Sequence, residues 1–404
     1  MGVTTPQLTV PQLTVNLWGH LSGGFGLGEG ARCTARALEA AGVRVQWRDL
    51  PLATHVNDQP LDPAEPFQAA AIDLIHTNPN VLRQSDGLAQ QLDLRAPLRI
   101  GFWAWELESF PGGWEAGFSG LDQLWCPSSF CATSLGLRSP IPVTPLPHLI
   151  NWARANRLQL LRRATRSHGN QPFTCLFAFD FWSTVGRKNP HGVIDAFQLA
   201  FPRRRAWGTH TPEARLVLKL SSSAQFPDAT EALRQRAQAD PRIKLISEHL
   251  SNDAFDRLYA EADALVSLHR AEGFGLSLAE AMAAELPVVA TGYSGNLDFM
   301  PPGSAELIPY QMVQIEQTES DYRAGAIWAE PDLDSAAQAL HKLASQPVHR
   351  QQLALKGRAA VESNLNPTKI GKIVRERLGC LVGKPGRAEL IHQLPLQHPW
   401  RPLG

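Results

Sequence analysis

The sequence predicts an α/β protein with two doubly wound domains that face each other across a cleft. Strand-like and helix-like segments alternate along nearly the whole chain, which is typical of parallel sheets with helical crossovers. The 404 residues exceed what one ordinary hydrophobic core accommodates. The alternation is interrupted once, where Pro140, Pro142, Pro145 and Pro147 exclude a regular helix. We therefore predict two domains of similar size.

The segment PQLTV occurs at 6–10 and again at 11–15. The second copy runs into Asn16, Leu17 and Trp18 and is predicted to form the first strand, and the first copy is predicted to be a disordered or edge extension. A glycine loop then leads into a helix that Gly42 ends. The remaining apolar stretches are bounded by turn residues, as strands are. The predicted helix is 29–41, and the predicted strands are 43–47, 72–76, 98–103, 124–126 and 142–145.

The second domain is predicted to start at Phe173, after a polar, arginine-rich segment. We assign residues 1–152 to the first domain, 153–172 to a linker, 173–380 to the second domain and 381–404 to a Pro-rich tail. Within the second domain the alternation resumes. The predicted strands are 173–179, 215–220, 242–246, 264–268 and 287–291, and the predicted helices are 191–201, 228–239, 252–261, 277–285, 335–345 and 347–363.

Composition narrows the class of protein. Lys plus Arg equals Asp plus Glu at 38 each, so no overall field recruits nucleic acid or an anionic membrane. The five cysteines form no metal-binding spacing, and we expect no metal site. No apolar run is long enough to span a bilayer, and the first residues do not resemble a signal peptide. We expect a cytoplasmic protein, with peripheral membrane contact left open.

The segment EGFGLSLAE at 272–280 is the most informative motif. It follows an apolar strand and runs into a helix of small residues, so backbone N–H groups and the positive end of the helix point to one place. Glu272 stands at the mouth of this anion cradle and Glu280 one helical turn beyond it. The alternative is structural: Ser277 and Glu280 fit a capping box, and Gly273 and Gly275 fit loop positions with positive φ.

Cations stand at two other strand ends of the second domain. Arg187 and Lys188 precede a helix start near Pro190, where the helix dipole disfavours positive charge, so they indicate a compensating anion. Lys219 ends an apolar strand, at the sheet edge where ligands bind. Solvated surface charges, and a lysine that extends from the strand end to water, are the alternatives.

Two features of the first domain have open interpretations. Residues 26–31 match G-x-G-x-x-A, with Asp49 about twenty residues on, but four glycines in seven residues make this dinucleotide fingerprint weak. A tight structural turn is the alternative. Farther along, Trp103, Trp105, Glu106 and Glu108 combine flat apolar faces with acceptors, which suits either a carbohydrate or a domain interface.

The segments EGFGLSLAEAMAAELPVVAT and TGYSGNLDFM, with WAWELESFP and WCPSSF in the first domain, resemble the retaining family-four glycosyltransferases, which have the GT-B fold. The resemblance covers residues 16–365 and is strongest over 173–300. It implies a nucleotide-sugar donor, front-face transfer to the hydroxyl of a glycan, lipid-linked or small-molecule acceptor, and no metal or other cofactor. It also suggests surface polysaccharide or glycolipid synthesis.

The resemblance implies a role for each candidate residue. Glu272 would contact the donor sugar, and Glu280 would accept hydrogen bonds from the ribose. Arg187 or Lys188, with Lys219, would stabilise the departing diphosphate. The remaining candidates would contribute backbone or acceptor-side contacts: Gly273, Phe274, Gly275 and Leu276 at the donor, Gly23, Gly24 and Gly26 at the phosphates or acceptor, and Trp103 and Glu106 at the acceptor.

Three positions depart from the family pattern. The early part of the loop after Phe179 holds Asp180 and Phe181 where an arginine is usual, so Arg187 and Lys188 are substitutes. Trp103 to Glu106 stand where many relatives have a histidine. Glu285 replaces a glycine, at a cost of up to ~1 kcal/mol if the position is left-handed. A non-catalytic sugar-nucleotide or glycan-binding protein and an NAD-dependent oxidoreductase are the alternatives.

Overall fold

The structure is a computed structural model that describes residues 13–61, 68–85, 87–166, 171–203 and 212–382. The first copy of PQLTV, residues 167–170 of the predicted linker and nearly all of the predicted tail lie outside these residues. Strand and helix alternate as expected. The elements in chain order are β1 (Thr14–Gly19), α1 (Gly26–Ala40), β2 (Arg44–Asp49), β3 (Ile72–His76), α2 (Pro79–Gln84), β4 (Leu98–Phe102), β5 (Gln123–Cys126), α3 (Ser129–Gly136), β6 (Val143–Pro145), α4 (Trp152–Arg166), β7 (Phe173–Asp180), α5 (Val185–Lys188), α6 (Pro190–Ala200), β8 (Ala214–Ser221), α7 (Pro227–Gln238), β9 (Ile243–Ile246), α8 (Asn252–Glu261), β10 (Ala264–Ser267), α9 (Leu276–Ala283), β11 (Val288–Thr291), β12 (Glu306–Ile308), β13 (Tyr310–Gln314), β14 (Ile327–Pro331), α10 (Leu333–Ser345), α11 (Pro347–Leu365) and α12 (Pro367–Val382).

The chain divides by its contacts into two compact units. Unit 1 comprises residues 1–103, 116–125 and 367–404, and unit 2 comprises 104–115 and 126–366. This division differs from the predicted boundaries in three places. The segment 104–115 belongs to unit 2, helix α12 belongs to unit 1, and the predicted linker carries helix α4 within unit 2.

The first sheet has the strand order β2-β1-β3-β4-β5-β6. Strand β1 pairs in parallel with both β2 and β3, so the order reverses there and the loop after β1 lies at the switch point. The core of unit 1 is aliphatic and fully buried at Val15, Leu17 and Leu74. Helix α1 covers this sheet because its small residues allow close approach, with Ala31 and Ala35 inaccessible to solvent.

The second sheet has the order β12-β11-β10-β7-β8-β9, and its register pairs are parallel. Numbered from β7, this is the 3-2-1-4-5-6 order of a doubly wound nucleotide-binding domain. Two apolar clusters fill its two faces: one centres on Phe177, Phe197 and Leu340, the other on Leu176, Met282 and Phe299. The switch point lies between β7 and β10, which pair at Ala264 and Cys175.

Two further observations concern chemistry and membranes. The five cysteines, all among the described residues, form no disulfide, and burial raises the pKa of the Cys131 thiol to about 12, so that thiol stays protonated. Among the residues that the structure describes, no helix combines the length and hydropathy needed to cross a membrane.

Candidate functional site

The candidate site of unit 2 is built by two loops that leave neighbouring strands at the switch point. One follows β7 and carries Arg187 and Lys188, and the other follows β10 and carries Glu272. Ligands of doubly wound sheets bind outside the carboxyl ends of the strands at this position. The strand order therefore brings together residues that stand 84 positions apart in the sequence.

The loop after β7 is locked in an unusual conformation. Thr184 has φ +60° and Asn189 has φ +54°. The Asn189 side chain accepts from Gly192 N–H at 3.0 Å, which caps helix α6, and donates to the Leu268 carbonyl at 3.0 Å. One asparagine thus fixes the start of α6 and joins the two loops, which holds the preceding cations beside β10.

The cations and Glu272 form a buried cluster. Lys188 Nζ donates to Glu272 Oε1, and Arg187 Nη1 lies 3.6 Å from Glu272 Oε2. Arg187 also donates to the carbonyls of Ser183 at 3.1 Å and Ala271 at 3.0 Å. Burial alone would raise the pKa of Glu272, but Lys188 and Arg187 outweigh it and lower that pKa to about 2. Glu272 is therefore ionised at neutral pH.

A second carboxylate and two stacked aromatic rings complete the cluster. Tyr322 Oη donates to Glu106 Oε2 at 2.7 Å, and Arg187 Nη2 lies 3.7 Å from Glu106 Oε1. The Arg187 guanidinium stands 5.7 Å from the centre of the Tyr322 ring, which stacks on Trp105 at 5.4 Å. Two acids face two cations here, so the local charge is balanced without a ligand.

The loop 272–275 is held by its backbone. Ser128 Oγ donates to the Gly273 carbonyl at 2.6 Å, and Gly295 N–H donates to the Glu272 carbonyl at 2.9 Å. Gly275, the N-cap of α9, has φ +92°, so this glycine does supply a left-handed position. No side chain caps the helix, so the Ser277–Glu280 capping box is not formed.

The side chains of the other predicted donor residues have different surroundings. Phe274 is buried, with ring centres 5.0 Å from His148 and 4.9 Å from Phe299, so its ring belongs to the core. Leu276 is partly buried against the same cluster. Glu280 pairs with Arg154 at 2.8 Å, and Arg154 also pairs with Asp256.

Lys219 is buried at the end of β8, and its ammonium donates to the Leu220 carbonyl at 2.6 Å. Burial lowers its pKa, and Glu248 and Asp180 are the acids that oppose this shift. The contacts of the described residues do not join Lys219 to the cluster around Glu272. Lys219 therefore lies on the strand next to β7 but is not part of the network around Glu272.

The predicted glycine loop lies at the switch point of unit 1, and the N–H groups of Gly23 and Gly24 are already used. Gly23 N–H donates to the His20 carbonyl at 2.9 Å and Gly24 N–H to the Val56 carbonyl at 2.9 Å. Gly26 is the first residue of α1. A Cβ at Gly28 would stand 2.3 Å from the Gly23 carbonyl oxygen, so that glycine serves packing. Asp49 accepts from Ser22 N–H at 2.9 Å, which occupies the acid of the dinucleotide fingerprint.

The predicted pair of Trp103 and Glu106 is divided between the two units. Trp103 lies in unit 1, where its ring packs 4.8 Å from Phe118 and its backbone N–H donates to Trp125. Glu106 lies in unit 2 beside Arg187. The sequence placed them together because they are close in the chain, whereas the polypeptide passes from one unit to the other at that point.

Several residues of the site were not predicted. Tyr322 and Glu319 come from the loop between β13 and β14, and Glu319 accepts from Gly186 N–H at 2.9 Å. Ser294 accepts from Glu272 N–H at 2.8 Å and Arg154 holds Glu280. Only Ser294 had a signal, because it lies in TGYSGNLDFM.

The described residues hold no group of three or more His, Cys, Asp or Glu side chains that could bind a metal. A comparison with curated proteins gave no match. Residues 184–346, which include most of the cluster, match the family model "Glycosyl transferases group 1".

Comparison with solved structures gave matches over nearly the whole chain at low identity. A glycosyltransferase from Rickettsia africae ESF-5 is 12% identical with a TM-score of 0.61, over 93% of this chain and 100% of that one. Sucrose-phosphate synthase from Thermosynechococcus elongatus is 15% identical with a TM-score of 0.62, over 92% of this chain and 100% of that one. HepE from Anabaena, in complex with UDP and glucose, is 12% identical with a TM-score of 0.59, over 91% of this chain and 100% of that one. These likenesses show that the chain has the GT-B fold, and its residues 184–346 are similar to the glycosyltransferases of group 1.

Proposed function

We propose that the protein transfers a sugar, of the hexose type, from a nucleotide-diphosphate donor to an acceptor hydroxyl with retention of configuration. The observation that carries this proposal is the buried cluster of Lys188, Arg187 and Glu272 at the switch point of unit 2. Cations held in place before any ligand arrives suit an anionic leaving group, because they stabilise developing charge without reorganising.

The roles follow from the charges. Lys188 and Arg187 would bind the diphosphate as the bond to the sugar breaks and negative charge moves onto the leaving oxygen. Glu272 would then exchange its lysine contact for hydroxyl groups of the donor sugar. The backbone N–H groups at the start of α9, from Gly275 onward, would add hydrogen bonds to the phosphates.

The remaining predicted residues take supporting roles in this proposal. Glu280, positioned by Arg154, would accept from the ribose hydroxyls. Lys219 would add a positive potential at the same sheet edge. Gly23, Gly24 and Gly26 would shape a backbone surface in unit 1, and Trp103 and Glu106 would act on the acceptor side.

The acceptor we propose is a glycan, a lipid-linked sugar or a small molecule, within surface polysaccharide or glycolipid synthesis. Support comes from relatives of the same fold: HepE was solved with UDP-glucose, and TarM of S. aureus with UDP and α-GlcNAc-glycerol at a TM-score of 0.51. Transfer would be metal-independent, since Lys188 and Arg187 supply the charge that a divalent ion supplies elsewhere. We expect EDTA to leave turnover unchanged.

The proposal is tested by mixing the protein with a panel of nucleotide sugars and detecting released nucleotide, with and without simple sugar acceptors. We expect release from one donor class, and a loss of about 100-fold or more in Lys188→Ala. Lys342→Ala is the matched control, because this lysine of unit 2 is 41% exposed and pairs with Glu306. Stabilisation by NAD but by no nucleoside diphosphate would contradict the proposal. Donor binding without any release would favour a non-catalytic binding protein.

A further inference from the structure

The connection between β13 and β14 reaches the cluster around Glu272 through a tight turn at residues 319–322. Glu319 N–H donates to the Tyr322 carbonyl and Tyr322 N–H donates to the Glu319 carbonyl, both at 3.0 Å. One side of this turn brings Tyr322 to Glu106 and Arg187. The other side brings the Glu319 carboxylate to the loop that carries the two cations. The proposed transfer as stated so far gives Glu319 no role.

The loop that carries the cations has a strained backbone. Helix α5 is a single turn that lies between Thr184, with φ +60°, and Asn189, with φ +54°. Positive φ is unfavourable for a β-branched residue such as threonine, and such conformations persist only where surrounding contacts fix them. Asn189 makes contacts of this kind at the end of the loop. The middle of the loop is fixed by a different set.

Gly186, in the middle of the loop, is held at both of its backbone polar groups. Its N–H donates to Glu319 Oε2 at 2.9 Å, and its carbonyl accepts from Arg270 Nη1 at 2.6 Å. Arg270 Nη2 in turn donates to Glu330 of β14 at 3.0 Å, and Ala329 N–H of β14 donates to the Arg270 carbonyl at 3.0 Å. Both contacts of Gly186 therefore lead to the β13–β14 hairpin.

The Glu319 carboxylate lies directly against Gly186. A Cβ at Gly186 would stand 2.7 Å from Glu319 Oε1 and 2.8 Å from Oε2, which is too close for a real side chain. A charged acceptor forms a hydrogen bond roughly twice as strong as a neutral one, so this contact is a firm restraint on the loop. Because Arg187 and Lys188 follow Gly186 directly, a displacement of Gly186 displaces both cations.

We propose that Glu319 is a positioning residue for the two cations, because its hydrogen bond to Gly186 N–H holds Arg187 and Lys188 where a diphosphate binds. This role rests on the proposed transfer and adds the β13–β14 hairpin to its site. Glu319 acts through Gly186 and needs no contact with substrate. Its removal leaves the charges of Arg187, Lys188 and Glu272 in place, so the expected effect comes from geometry. A misplacement of about 1 Å can lower a rate by about 100-fold.

The test compares Glu319→Ala, Glu319→Gln and Glu316→Ala in the full chain. Calorimetry measures the affinity for UDP and GDP, and nucleotide release from donor sugars measures turnover. In Glu319→Ala we expect the diphosphate affinity and the turnover each to fall by about tenfold or more. Glu319→Gln keeps an acceptor for Gly186 N–H and should retain most of both. Glu316→Ala is the matched control, because that acid of the same connection is exposed.

A substitution on the other side of the hydrogen bond separates positioning from folding. Gly186→Ala places a methyl group against the Glu319 carboxylate and should weaken diphosphate binding to a similar extent. The double variant with Glu319→Ala should lose no more than the weaker-binding single variant, because both substitutions break the same contact. A folding defect alone would lower the number of binding sites per chain and leave the affinity unchanged.

The outcomes distinguish this role from the proposed transfer. Unchanged affinity and turnover in Glu319→Ala would overturn the role of Glu319 and leave the transfer intact. Additive losses in the double variant would show that Glu319 acts elsewhere than at Gly186, which also overturns the role. If the native protein neither binds a nucleoside diphosphate nor releases one from a donor, the transfer itself fails and this role fails with it.

Discussion

Glu272 is an acid whose charge is fixed by its neighbours. It is 7% exposed, and Lys188 and Arg187 lower its pKa to about 2. Its neutralisation leaves two buried cations with Glu106 as the remaining carboxylate of the cluster. Removing one partner of a buried ion pair destabilises the protein by more than the intact pair stabilises it, because the remaining charge stays buried without a partner. Glu272 therefore has a structural role that is separate from the role with substrate that we propose for it.

We predict that Glu272→Gln lowers the free energy of unfolding by about 3–5 kcal/mol. A nucleoside diphosphate should then stabilise the variant more than it stabilises the native protein, because it supplies the missing negative charge. Urea denaturation with and without nucleotide measures both effects. Glu362→Gln is the control: this acid is 51% exposed beside Arg358, and its loss should cost at most about 1 kcal/mol. Nucleotide binding lost together with Glu272 would contradict the proposed division of roles.

His269 makes the site sensitive to pH. It is fully buried, and burial lowers its pKa to about 4 from the ordinary 6.5. The unfolded chain therefore binds a proton between pH 6.5 and 4 that the folded protein does not, so stability falls as pH decreases through that window. The full loss is about 3 kcal/mol below pH 4. Glu272 loses its contribution only lower, between its ordinary pKa of 4.5 and about 2.

We predict that urea denaturation shows lower stability at pH 5 than at pH 7, and that His269→Gln reduces this difference by about 2 kcal/mol. Burial also lowers the pKa of His20, so part of the dependence should remain in the variant. Glutamine keeps a donor for Asn296, whose Oδ1 accepts from the imidazole Nε2 at 3.2 Å. A pH dependence that His269→Gln leaves unchanged would show that this histidine is not the buried neutral group.

At the scale of residues, the sequence predicted what local motifs encode. The two cations and Glu272 were each identified as anion-binding or donor-binding residues, and the strand order brings them into contact. Tyr322 could not be found this way, because it reaches Glu106 from 216 positions away without a motif of its own. The ring of Phe274 was assigned with its motif, although only its backbone stands in the loop while the ring packs into the core.

Helix α9 illustrates how an element is placed by its ends. Gly275 starts it in a left-handed conformation, and Glu285 follows it with φ +56°. From the sequence we expected an energetic cost at Glu285 if its backbone were left-handed, and its φ shows that the backbone is left-handed. The Glu285 carboxylate accepts from Arg163 at 2.8 Å and from Gln159. These contacts with α4 offset the strain.

We therefore predict that Glu285→Gly is more stable than Glu285→Ala by about 1 kcal/mol. Both variants lose the contacts with α4, but only alanine keeps the strained left-handed backbone. Chemical denaturation of the two variants side by side measures the difference. Equal stabilities would show that the backbone at this position relaxes without cost.

Gly295 is the glycine that the loop 272–275 requires most. A Cβ there would stand 2.1 Å from the Gly273 carbonyl oxygen and 2.8 Å from Ser128 Oγ. We predict that Gly295→Ala displaces the loop and lowers donor turnover by about 100-fold, since small misplacements of a site are costly. Gly303→Ala is a control for fold alone, because its Cβ would meet nothing within 4 Å although its φ is +83°. Unchanged turnover in Gly295→Ala would contradict this role.

The elements that the sequence predicted well are those with a clear apolar pattern. Strand β3 and helix α8 agree with the predicted spans 72–76 and 252–261. Helix α4 was assigned to a linker because it is rich in arginine. Few of its residues are apolar and fully buried, such as Leu158, and one arginine, Arg162, is itself buried by donating to the carbonyls of Tyr259 and Ala262. Burial of a cation through backbone carbonyls has no sequence pattern.

At the scale of the whole molecule, the chain does not divide at one point. Helix α12 follows the last helix of unit 2 but belongs to unit 1. Its buried residues Ile370, Val374, Leu378 and Leu381 follow the helical period, so the sequence did contain this signal. We placed the start of the predicted tail at residue 381 because the sequence beyond it is rich in proline. The sequence pattern could not show which of the two units this helix packs in.

The contact of α12 with α1 provides a test of this return of the chain. Helix α12 has two glycines in different settings. A Cβ at Gly371 would stand 2.4 Å from the Ala40 carbonyl oxygen at the end of α1, whereas a Cβ at Gly379 would meet nothing within 4 Å. Alanine favours a helix over glycine by up to ~1 kcal/mol, so Gly379→Ala should stabilise the protein.

Gly371→Ala should instead destabilise it by about 1–3 kcal/mol, because the gain in helix propensity is smaller than the cost of pushing two helices apart. The two substitutions are chemically identical and eight residues apart in one helix, so helix propensity cannot explain opposite signs. Thermal and urea denaturation of both variants measure the difference. If Gly371→Ala stabilised the protein as Gly379→Ala does, α12 would not pack on α1, and residues 367–382 would have no part in unit 1.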